Sequence, residues 1–157
     1  MSESTPLSRY LNDHLAGSAF AIDLMKKMRP NNEGTEFGAF LEHLQAEIEE
    51  DRAALEQVMH AVNVTPSPIK QAGSRVLETV SRVKFDERIT GSGDLSRLME
   101  TEALSLGIEG KLAGWRALAQ LSRDDLGVDL DALMRRAEDQ RSRLEPFRNA
   151  AAKRALA

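Results

Sequence analysis

The stretch TEFGAFLEHLQAEIEEDRAALEQVMHAV, residues 35–62, decides the fold. Apolar side chains recur at Phe37, Leu41, Leu44, Ile48, Leu55, Val58 and Val62, in steps of three, four and seven that place them on one face of an α-helix. That stripe has one interruption. Asp51 stands where an aliphatic residue belongs, and Glu47 lies one turn earlier on the flank. A carboxylate on a buried face must be paired or neutralised, so the stretch predicts a helix packed against others and a polar centre between them.

Toward the N-terminus, Thr5-Pro6 reads as an N-cap followed by proline at the first helical position. Leu7, Leu11, Leu15, Ile22, Met25 and Met28 then mark a helix over about 6–28, stopped by Arg29-Pro30-Asn31-Asn32. The connection to the helix over 35–62 is short, so the two should be antiparallel neighbours. Toward the C-terminus, a turn at Asn63 to Pro68 leads into a helix over about 68–84 carrying Val76, Leu77, Val80 and Val83, and Gly91-Ser92-Gly93 breaks it. Asp94 can cap a third long helix over about 94–121, and a fourth over about 129–154 runs through Leu133, Met134, Ala137, Leu144 and Phe147. No stretch alternates with the period of a strand. The expectation is one all-α domain spanning residues 1–157: a ferritin-like up-down/down-up four-helix bundle whose long crossover contains an additional helix.

Composition narrows the function classes. The chain has 157 residues, 41% of them hydrophobic and 29% charged, which suits one hydrophobic core. A net charge of −4 argues against nucleic acid as a partner, because phosphate binding needs clustered Lys and Arg. The absence of cysteine excludes disulfides, thiolate metal sites and cysteine nucleophiles. The start MSESTPLSRY lacks the pattern of a signal peptide, and no run approaches the roughly 20 apolar residues of a membrane span, so no membrane association and a cytoplasmic location are expected. Phosphate loops, nucleophile motifs and dinucleotide fingerprints are missing, and no catalytic residue is nominated.

Other helices also carry charge near their apolar stripes. On the first, the steps 7, 11, 14, 18, 21 and 25 include His14, with Asp13 beside it; counting from the short loop sets His14 level with Ile48. On the third, Glu102 and Glu109 fall in line with Leu95, Leu98, Leu106 and Leu112, and on the fourth Glu138 flanks Met134 and Ala137, with Arg141 one turn on. Two chemistries fit. Inward carboxylates from four helices can hold a pair of iron or manganese ions, with Asp13, His14, Glu47, Glu50, Glu102 and Glu138 as candidates. The Glu-x-x-His pairs of such sites are missing, however, and an arginine cannot ligate a metal. Alternatively the acids are neutralised by Arg52, Lys111, Arg116 or Arg141, giving a polar core of Asp51, Glu109, Lys111 and Arg141 without any ion. The second reading is the one adopted, with no cofactor.

The stretches Tyr10-Leu11-Asn12-Asp13-His14-Leu15-Ala16-Gly17, Glu47-Ile48-Glu49-Glu50-Asp51-Arg52, Glu102-Ala103-Leu104-Ser105-Leu106-Gly107 and Arg136-Ala137-Glu138-Asp139-Gln140 resemble those of a group of bacterial ferritin-like proteins without an assigned activity. The likeness extends over nearly the whole chain and implies the bundle fold, not a reaction.

One more pattern stands out. Ala103, Gly107, Gly110, Gly114 and Ala117 form a smooth strip along the third helix, where each glycine costs roughly 1 kcal/mol relative to alanine. Tight packing, against the crossover helix or against Ala16-Gly17-Ser18-Ala19, would explain the strip, as would a groove for a ligand or a second subunit. Trp115 beside it reads as core. The function expected is a non-catalytic bundle acting as a homo-oligomer or through a protein partner, with metal binding as the alternative.

Overall fold

The computed structural model describes residues 5–68 and 93–157. The crossover helix expected over about 68–84 falls outside them from residue 69 onward. Four long helices make up the described residues, with no strand among them: α1 (Pro6–Met28), α2 (Glu36–Ala61), α3 (Gly93–Ala119) and α4 (Leu130–Leu156). A 3-10 turn over Arg29–Asn32 joins α1 to α2.

Local chemistry sets most of the ends. Thr5 accepts a hydrogen bond from the Ser8 amide, Thr35 from Gly38 and Asp129 from Ala132, each satisfying one amide that a helix start leaves unpaired. Gly38 is required by close approach, because a Cβ there would lie 2.0 Å from the Asn32 carbonyl oxygen. Asp94 is not the cap anticipated for α3; it lies inside the first turn and pairs with Arg154 at 3.4 Å. α3 ends at Ala119, two residues short of expectation, and α4 continues two residues further, to Leu156.

α1 packs beside α2 and α3, α2 beside α4, and α3 beside α4. Two apolar clusters fill the space between them. In one, Ile22, Met25 and Met28 of α1 meet Leu104 and Ile108 of α3, along with Leu41, Leu44 and Ile48 of α2. In the other, Leu11 and Leu15 meet Trp115 and Leu118, with Leu55, Val58 and Met59. Early residues of α1 thus face late residues of α3, so the two run antiparallel. Phe37, Phe40 and Phe147 stack at one end, with centroids 4.9 Å and 5.0 Å from Phe147.

The face that α3 buries differs from the expected one. Leu98, Thr101, Leu104, Ile108, Leu112, Trp115 and Leu118 point inward, whereas Leu106 is 73% exposed. Thr101 makes this phase possible. Its hydroxyl donates within the helix to the carbonyls of Arg97 (2.9 Å) and Leu98 (2.8 Å), so a polar residue sits fully buried with its hydrogen bonds made.

Candidate functional site

The polar centre is built around Asp51. The α2 stripe carries this carboxylate inward until it is only 2% exposed. Burying it removes the hydration of a full charge, and three partners replace that water. The Arg136 guanidinium of α4 reaches one oxygen, with Nε 2.8 Å away, and the Lys111 ammonium of α3 reaches the other. Gln140 donates to that second oxygen at 3.2 Å and accepts from Lys111 through its own carbonyl. Burial pushes Lys111 below the ordinary lysine range while the Asp51 carboxylate pulls it back up. The group therefore ties α2, α3 and α4 together by charge-assisted hydrogen bonds.

The four candidate glutamates are held one by one, each by a base. Glu47 receives both carboxylate bonds from Arg143, at 2.9 Å and 2.7 Å, and Glu50 pairs with Arg136 at 2.8 Å. Glu138 pairs with Arg116 at 3.0 Å, and Glu102 faces Arg148 at 3.7 Å. Glu109 and Arg141 do meet, at 2.9 Å, but on the surface rather than in the polar core. Arg52 binds Glu56 on its own helix instead of reaching across. Asp13 is exposed, and His14 beside it stays on α1, its ring edge-on to Tyr10 at 4.6 Å. Among the described residues no three His, Asp or Glu side chains come together where an ion could be held. The donor set does not fit the iron or manganese pair that the ferritin-like resemblance raised: the candidate glutamates are dispersed over separate arginine pairs that already neutralise their charge, instead of facing one another.

Arg136, Gln140 and Arg143 are the residues that reasoning from sequence passed over. Gln140 had a signal, since the steps 133, 137, 140, 144 and 147 put it on the apolar stripe of α4. Arg136 and Arg143 flank that stripe and could not have been told from surface arginines.

A cleft of about 750 Å³ opens beside the polar centre, between α1, α2 and α3, and its walls are mainly carbon. The glycine strip forms part of the α3 wall, and its members do different things. A Cβ on Gly114 would fall 2.8 Å from the His14 ring, so this glycine seats the imidazole. At Gly107 and Gly110 a Cβ would meet nothing within 4 Å among the described residues. His14 and Glu100 both line the cleft. Burial lowers the His14 pKa, against the pull of Asp13, and raises that of Glu100, against Arg97. Both shifts favour the neutral form, which suits an apolar lining. Trp115 belongs to its lining; the residue is 3% exposed, and its indole nitrogen is buried with no acceptor among the described residues.

No helix among the described residues is long and apolar enough to cross a membrane. Comparisons with family models, with curated proteins and with solved structures find no match to this chain.

Proposed function

We propose that the chain is a non-catalytic bundle of ferritin-like arrangement, with a salt-bridged rather than metal-bearing centre, that acts by binding: to itself, to a protein partner, or through its cleft. The observation carrying this reading is the complete engagement of Asp51. Both of its oxygens are taken by Arg136, Lys111 and Gln140, and Glu47, Glu50 and Glu138 are each held by an arginine. Acids used in this way hold helices together and are not free to act in proton transfer. The helix order supports the ferritin-like arrangement. α1 is antiparallel to α3, and the pairs Glu47–Arg143 and Glu50–Arg136 set α2 antiparallel to α4, as in up-down/down-up bundles. Leu106, 73% exposed, and Tyr10, 37% exposed, both line the cleft and favour a binding role for that face.

The test is elemental analysis of the purified chain before and after dialysis against Fe(II), Mn(II) and Zn(II), alongside light scattering for association. The expected result is no metal held in stoichiometric amount. One or two ions per chain, lost on Glu47→Ala and Glu102→Ala substitution, would overturn the reading and make the protein a metalloprotein.

A further inference from the structure

We draw no further inference here: the strongest candidate, the apolar cleft between α1 and α3 that Tyr10, His14, Leu106 and Gly107 line, carries none, because nothing among the described residues shows what covers it.

Discussion

Asp51 shows how one side chain can organise its surroundings. Its position on the α2 stripe was legible in the sequence, as was the need for compensation, because the stripe is otherwise aliphatic. Which base would answer was legible only for Lys111; Arg136 comes from 85 residues away and flanks its stripe like any surface arginine. Removing the shared acid strands Lys111 and leaves Arg136 with Glu50 alone, and breaking a buried pair from one side is strongly destabilising. Asp51→Ala is therefore expected to cost roughly 3–5 kcal/mol, read from the urea midpoint. His14 makes a second prediction at this scale. Burial lowers its pKa in the fold, so as pH falls through the ordinary histidine range the unfolded chain takes up a proton that the folded chain resists. Stability should then drop between about pH 7.5 and pH 5.5, and His14→Gln should flatten that slope. Glu100, shifted upward, acts at lower pH and with the opposite sign, favouring the fold as its carboxyl protonates. Denaturant titrations of parent and variant at the two pH values check the difference; equal slopes would remove His14 from the account.

At the scale of the helix, the elements that could be read were those with clean stripes and conventional caps. Thr5-Pro6, Thr35 and Asp129 start α1, α2 and α4 within a residue of expectation. The face of α3 was misread because two phases were available. Glu102, Leu106 and Glu109 lie in line with Leu98 and Leu112, but Thr101, Leu104 and Ile108 line up too, and only the internal hydrogen bonds of Thr101 make the second phase affordable. With the helix turned, Glu102 and Glu109 move out to Arg148 and Arg141 at the surface. The same helix carries a sharp comparison among its glycines. Gly107→Ala and Gly110→Ala add a methyl group where no described residue lies within 4 Å and should each stabilise the protein by about 0.5–1 kcal/mol. Gly114→Ala drives a methyl group into the His14 ring and should destabilise it by about 1–3 kcal/mol. Thermal unfolding of the three variants reads both signs, and a Gly114→Ala variant as stable as the other two would mean that the imidazole swings aside freely.

At the scale of the whole molecule, the bundle is two oily compartments with ions where they join. Ile48, Ile108 and Leu144 belong to one compartment and Leu55, Trp115 and Leu133 to the other, and Asp51, Lys111, Arg136 and Gln140 sit between these levels on their helices. Carbon packs against carbon in many positions, and a slide of one helical turn, about 5.4 Å, would exchange leucines for leucines at small expense. The ionic layer tolerates no such slide, since it would set Asp51 against aliphatic side chains and leave Lys111 and Arg136 without an anion. Asp51 and its partners thus work as an indexing pin that fixes how far the α1–α2 hairpin is inserted along the α3–α4 hairpin. A chain carrying Asp51→Leu, Lys111→Met, Arg136→Leu and Gln140→Leu together should resist urea at least as well as the parent yet lose its unique alignment, giving doubled or broadened amide resonances. One sharp set of resonances would mean that the apolar layers alone set the alignment, and that the pin holds the helices together without choosing where they meet.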